Sequence, residues 1–126
     1  MAKYSKLLRI LGALFILGGL VRIFANKALF EFFLMGELWA DHPYFLYIYK
    51  VLGAFVILNG MIIYVVSFRL EEQKNLLSAL SYGFILIGLV MALTGYMAGL
   101  PIAFYILDAL FCFALAAIFY RIKTKT

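Results

Sequence analysis

Four apolar blocks divide the chain, and charged or turn-forming residues separate them. The blocks cover residues 7–25, 44–68, 76–97 and 102–120. Each approaches the ~20 residues that a helix needs to cross a bilayer, and none shows the short alternating segments of a membrane strand. Because backbone polar groups must be satisfied inside a membrane, the pattern predicts an all-α integral membrane protein. We expect a four-helix bundle that forms a single transmembrane domain over residues 1–126.

The link between the first two blocks, residues 26–43, is long and rich in apolar side chains. Its apolar part, residues 28–39, is too short to span a membrane alone, so we expect a short helix that lies in the outer membrane interface. Phe30, Phe33 and Trp39 belong to this segment. They act either as a simple interfacial anchor or as a lid over a pocket that opens to the outer leaflet.

Composition agrees with a membrane location, and the distribution of charge predicts the topology. Hydrophobic residues make up 67% of the chain and the mean hydropathy is +1.08, whereas the apolar share of globular domains is about 45–50%. If the chain crosses four times, eight of its eleven basic residues fall on the side that holds both termini. The positive-inside rule then places both termini in the cytoplasm, in a plasma membrane of bacterial type. The net charge of +5 is therefore a topology signal, and no nucleic-acid partner is expected.

Polar side chains in all four blocks fall at a similar depth, near the outer surface. At the helical rise, Asp108 lies about 10 Å inside the fourth block and Lys50 about 9 Å inside the second. Arg22, Thr94 and Tyr96 lie near the outer ends of the first and third blocks. A carboxylate is costly at this depth, so we expect Asp108 to pair with Lys50 or Arg22.

Three interpretations of this polar cluster are open. The first is a structural ion pair that fixes the order of the helices. The second is a small polar pocket that suits an anionic head group or a small acid. In the third, Lys50 extends to the interface and leaves Asp108 to a tyrosine hydroxyl or a partner subunit.

The sequence contains no motif for catalysis. It has no nucleophile with a local base, no glycine-rich phosphate loop and no CxxC pair. The single histidine, His42, cannot supply bis-histidine haem ligation or a zinc site. Asp41 or His42 is expected to cap the second long helix. Cys112 is interpreted as a small apolar residue, and Asn59 as the donor of an interhelical hydrogen bond. We predict no catalytic residue, no metal and no cofactor, and the interpretation leans toward a non-enzymatic protein.

Two segments of the first half, residues 9–19 and 50–60, align without a gap and are identical at six of eleven positions. They belong to blocks that cross in opposite directions, which is the relation found in inverted repeats. The match indicates either a duplication or a shared pattern of helix packing. Each segment carries two glycines seven residues apart, which places them on one face where helices approach closely. These glycines are Gly12 and Gly19 in the first segment, and Gly53 and Gly60 in the second.

The first half also resembles a known family. The pattern Leu8-Arg9-Ile-Leu-Gly12, followed by Gly18 and Arg22, resembles the opening of DoxX-like membrane proteins. The run from Lys50 to Gly60 is similar to the second helix of that group. The resemblance implies a small four-helix membrane bundle, often an accessory protein and sometimes one tied to quinone-linked redox systems. It identifies no catalytic residue.

Functions from different classes remain open. The leading expectation is a non-enzymatic multi-pass membrane protein, either an accessory subunit or a binder of a lipid or small hydrophobic ligand in an outer-leaflet pocket. The alternative is a small oligomeric transporter or channel that uses Asp108 with Lys50 or Arg22. A membrane enzyme or redox subunit is the least supported. Expected partners are membrane lipids and either further copies of the chain or a larger membrane complex.

Overall fold

The computed structural model describes residues 2–33 and 36–125, and these residues form an all-α structure with four long helices and one short helix. The helices are α1 (Ala2–Ile23), α2 (Lys27–Phe32), α3 (Pro43–Val66), α4 (Lys74–Met97) and α5 (Ile106–Lys125). The predicted all-α class and the predicted short helix after the first long one are confirmed. Leu34 and Met35, which belong to the predicted interfacial segment, lie outside the described residues.

The chain divides into two compact units, Met1–Phe68 and Arg69–Thr126. In the first unit α1 packs against α3, and in the second α4 packs against α5. Both pairs are antiparallel, because early residues of one helix contact late residues of the other. The assembly of all four helices into one transmembrane domain stays a prediction.

Glycine backbones meet directly between α1 and α3. A Cβ atom added at Gly12 would lie 2.8 Å from the carbonyl oxygen of Gly60, and one added at Gly60 would lie 2.7 Å from the oxygen of Gly12. Gly19 and Gly53 face each other in the same reciprocal way. In the alignment of segment 9–19 with segment 50–60, Gly12 corresponds to Gly53 and Gly19 corresponds to Gly60. The alignment therefore converts each of the two contacts into the other, which is the symmetry expected of an inverted repeat. The close approach predicted from the glycine spacing is present.

The contact between α4 and α5 uses side chains instead. The Phe113 ring fills the space beside Gly88, where an added Cβ would lie 2.9 Å from a ring carbon. Ser81 is buried and donates a hydrogen bond of 2.8 Å to the carbonyl oxygen of Ala116. The rings of Phe84 and Phe119 stack with centroids 5.7 Å apart. This interface is therefore built from rings and one buried interhelical hydrogen bond.

The ends of the helices follow local sequence signals. His42 caps α3 as predicted, since its Nδ1 atom accepts the N–H of Tyr44 at 3.1 Å. Gly99 adopts a positive φ of 72° after α4, where a glycine avoids the strain of a Cβ. Residues Ile102–Phe104 then form a single 3-10 turn, so the regular helix begins at Ile106 and runs to Lys125. The fourth long helix thus lies later in the chain than the predicted block of 102–120.

Two helices, α3 and α4, are long and apolar enough to cross a membrane. Only 17% of the apolar stretch of α3 and 28% of that of α4 is buried inside the protein. Helices that are apolar on all sides need an apolar environment, and these two find little of it within the protein. Leucines at the centres of the long helices, such as Leu14, Leu17 and Leu86, are about 60% exposed.

Candidate functional site

Four aromatic rings form a cluster where the link after α1 meets the first turns of α3. We call Phe30, Trp39, Phe45 and Tyr49 the ring cluster. Phe30 is its centre, with only 4% of its surface exposed and with ring centroids 5.1 to 5.9 Å from the other three rings. Most of these contacts are edge-to-face, the arrangement that aromatic rings favour. The cluster fixes α2 and the following turn against α3.

Two side-chain hydrogen bonds hold the ends of this link in place. Asn26 caps α2, since its Oδ1 atom accepts the N–H of Leu29 at 2.8 Å. The Nε1 atom of Trp39 donates to the carboxylate of Asp41. Phe33 is half exposed and packs edge-to-face on the more exposed Phe32. Of the three predicted lid residues, Phe30 and Trp39 therefore share one cluster, and Phe33 pairs separately with its neighbour.

Lys50 and Arg22 lie together at the carboxyl end of α1. The Nζ atom of Lys50 donates to the carbonyl oxygen of Ile23 at 2.7 Å. The Arg22 side chain lies against Gly53, which is one turn after Lys50 on α3. The Nη1 atom of Arg22 donates to Gly18 O at 3.2 Å. Cations are favourable here because the last carbonyl groups of a helix carry partial negative charge. The structure thus brings together two of the predicted cluster residues.

The remaining donors of these two cations have no acidic partner within the described part of the first unit. Arg22 is partly buried and Lys50 is exposed. Tyr44 and Tyr47, on the first turns of α3, are mostly exposed and stack on each other with centroids 6.1 Å apart. Beside the two cations, the unit therefore presents a surface of aromatic rings.

The other predicted cluster residues belong to the second unit. Asp108 is exposed and lies in the first turn of α5, where a carboxylate is favoured by the helix dipole. No side chain among residues 69–125 forms a hydrogen bond or ion pair with it. Thr94 and Tyr96 are both exposed near the end of α4. A pairing of Asp108 with Lys50 or Arg22 would join the two units and stays a prediction.

The interhelical hydrogen bond expected of Asn59 is not formed with α1. Asn59 donates to Phe55 O of its own helix at 3.1 Å, rather than across to α1. Gly60 faces α1, and the neighbouring residue on a helix points about 100° away from it, so the Asn59 amide reaches the carbonyl one turn back. Sequence reasoning also missed Phe45 and Tyr49 as members of the ring cluster. Their spacing of four residues, which places both on one face of α3, was the available signal.

Comparison with known proteins returns no match, because no protein-family model, curated protein or solved structure is significantly similar to this chain. The resemblance to DoxX-like proteins therefore stays a prediction.

Proposed function

We propose that this chain is an integral membrane protein of four spans that binds an anionic amphiphile beside the carboxyl end of α1. The ligand class is a lipid or a small hydrophobic acid, bound in the outer leaflet, with both termini of the protein in the cytoplasm. The two cations bind the acidic group and the exposed rings contact the apolar chain. An accessory role in a larger membrane complex is compatible with this activity.

The membrane location is supported by the apolar surface of the helices. Leu86 in the middle of α4, Leu93 near its end and Phe55 in the middle of α3 are 58 to 62% exposed. A soluble protein rarely exposes contiguous apolar surface on this scale. Lipid acyl chains would cover it without further contacts between protein chains.

The observation that carries the binding proposal is the position of Lys50. Its ammonium group binds the α1 terminus at Ile23 O, and this bond holds the charge at a defined place next to Arg22. A cation held in this way loses little conformational entropy when an anion arrives. The spare N–H groups of both side chains are donors for charge-assisted hydrogen bonds to a carboxylate or phosphate.

Rings next to the cations favour an amphiphile over a simple ion. Tyr44 and Tyr47 are amphipathic side chains of the kind that gather at the boundary between acyl chains and head groups. They lie on the same first turns of α3 as Phe45 and Tyr49 of the ring cluster. The ring cluster also contains Trp39, the only tryptophan of the chain. The cations and the rings together match a molecule with an acidic head and an apolar tail.

The position of Trp39 provides a direct test. The protein is placed in phosphatidylcholine nanodiscs and titrated with a fatty acid that carries bromine on its chain, because bromine quenches tryptophan fluorescence on contact. We expect saturable quenching by the acid and much weaker quenching by its uncharged methyl ester. Lys50→Gln should raise the apparent dissociation constant about tenfold, since it removes one charge-assisted hydrogen bond.

Two further variants separate binding from general charge effects. Lys50→Arg keeps the cation and should retain most of the affinity. Lys74→Gln makes the same change in net charge at the exposed start of α4 and should leave the affinity unchanged within about twofold. Equal quenching by the acid and the ester, or equal losses in Lys50→Gln and Lys74→Gln, would contradict the proposal.

A further inference from the structure

The opposite end of the first unit contains a stacked arginine. The guanidinium of Arg9, on α1, lies over the ring of Phe68 with its Cζ atom 4.3 Å from the ring centroid. Phe68 lies two residues after the end of α3, and its N–H donates to Val65 O. Its ring also packs edge-to-face on Tyr64, with centroids 5.4 Å apart. The ring that supports the guanidinium is therefore itself held in place.

The alignment of segment 9–19 with segment 50–60 shows why Arg9 is not needed to cap the end of α3. Arg9 is the counterpart of Lys50, which caps α1 at Ile23, and the counterpart of Ile23 is Tyr64. The carbonyl oxygen of Tyr64 already accepts hydrogen bonds from the Oγ and N–H groups of Ser67, which is fully buried. The end of α3 is thus satisfied from within, and Arg9 has a different environment from Lys50.

A guanidinium that lies over a ring makes this contact through its charge and does not use an N–H group to donate to an oxygen acceptor, so its donors are available to a ligand. No carboxylate in the described part of the first unit pairs with Arg9. Acidic residues are absent from all of α1, and Lys6, one turn earlier on the same helix, is exposed. A planar fork of donors next to a second cation matches the geometry of a phosphate group.

We propose that Arg9, held over the ring of Phe68 and assisted by Lys6, binds a phosphate group at the end of the first unit where α1 begins and α3 ends. The phosphate comes either from the head group of an anionic phospholipid or from a soluble phosphate. This inference is independent of the amphiphile site, because Lys50 and Ile23 lie at the other end of α1. Only the lipid source depends on the membrane location proposed above.

The chain has four arginines, so protein labelled with 15N-arginine gives few Nε–Hε signals in an NMR spectrum. We would titrate the full chain, in a maltoside detergent that lacks phosphate, with short-chain phosphatidylglycerol, with the matching diacylglycerol and with inorganic phosphate. The Arg9 signal is expected to shift saturably with phosphatidylglycerol and not with diacylglycerol. A shift of similar affinity with inorganic phosphate assigns the source to soluble phosphate, whereas a response to phosphatidylglycerol alone assigns it to the lipid.

Matched variants test the roles of the fork and the ring. Arg9→Lys keeps the charge but removes the fork, and Phe68→Leu removes the ring but keeps the arginine. Each should weaken phosphatidylglycerol retention, followed by native mass spectrometry, about three- to tenfold. Arg121→Lys, an equal exchange at an exposed arginine of α5, should change retention by less than about twofold.

Three results would overturn the proposal. The first is an Arg9 signal that moves with neither phosphate source. The second is a uniform movement of all four arginine signals, which indicates a general charge effect. The third is an equal loss of retention in Arg9→Lys and Arg121→Lys. Because the amphiphile test reports on Trp39 and Lys50 at the other end of the unit, failure of one test leaves the other intact.

Discussion

Glycine lines the contact within both helix pairs, but the atoms that face it differ. Between α1 and α3, an added Cβ at Gly60 would meet the backbone oxygen of Gly12. Between α4 and α5, an added Cβ at Gly88 or Gly95 would meet the ring of Phe113 or Tyr105. A backbone oxygen moves only when its helix moves, whereas a ring can turn about its own side-chain bonds.

This difference separates two ways of packing helices when lipid surrounds them. In the first pair, each glycine has a Cα hydrogen in the place that a Cβ atom would take. That hydrogen points at a carbonyl oxygen of the other helix. Such contacts recur at close helix interfaces and add a small attraction to van der Waals packing. In the second pair, ring surface and one buried hydrogen bond replace them. We therefore expect the first interface to be rigid and the second to adjust.

The largest expected effect comes from adding one methyl group to the first interface. Gly60→Ala should lower the free energy of unfolding by about 1–3 kcal/mol, because the new Cβ forces α1 and α3 apart. The measurement is reversible unfolding in mixed micelles of a mild detergent and dodecyl sulfate, followed by helical circular dichroism.

Gly83→Ala is the matched control for that substitution. A Cβ at Gly83 has no atom within 4 Å, so the change adds only helix propensity and should stabilise the protein by up to about 1 kcal/mol. If Gly60→Ala and Gly83→Ala unfold alike, the backbone contact between α1 and α3 does not exist in the protein in solution.

The second interface should tolerate the same change once its ring is trimmed. Gly88→Ala alone is expected to cost about 0.5–1.5 kcal/mol, because the Phe113 ring must shift. Adding Phe113→Leu should recover much of this loss, and a double-mutant cycle gives the coupling directly. Additive losses would show that α4 and α5 meet as rigidly as α1 and α3. The first interface offers no such rescue, since the partner of Gly60 is a carbonyl oxygen.

Sequence reasoning was most successful where one local rule decides the structure. Four long apolar blocks predicted four long helices, and the glycines spaced by seven predicted the close face between α1 and α3. His42 before Pro43 predicted the cap of α3. Each of these depends on the backbone and on neighbours along the chain, and both can be inferred from the printed residues.

Sequence reasoning was less successful where the position of a polar side chain depends on which partner lies nearest. The Asp108 block was expected to begin near Pro101, but the 3-10 turn at Ile102–Phe104 delays the helix and places Asp108 in its first turn. The pairing of Asp108 with Lys50 or Arg22 stays a prediction, but within its own unit Lys50 binds a backbone oxygen that the sequence analysis did not identify. Unsatisfied carbonyl groups at a helix end are also acceptors for a lysine, but a sequence does not mark them.

The last comparison concerns two buried or partly buried polar residues, one in each unit. Ser81 bonds across to Ala116 on the facing helix, whereas Asn59 bonds back to Phe55 on its own. Interhelical hydrogen bonds in membrane proteins contribute about 0.6 kcal/mol on average and up to ~1.7 kcal/mol. Ser81→Ala should therefore lower the unfolding free energy by about 0.6–1.7 kcal/mol, and Asn59→Ala should change it by less than about 0.5 kcal/mol. The same micelle titration measures both changes. A larger loss in Asn59→Ala than in Ser81→Ala would mean that Asn59 makes its important contact with another helix. The reason is that an amide bonded only to its own helix adds nothing to helix association.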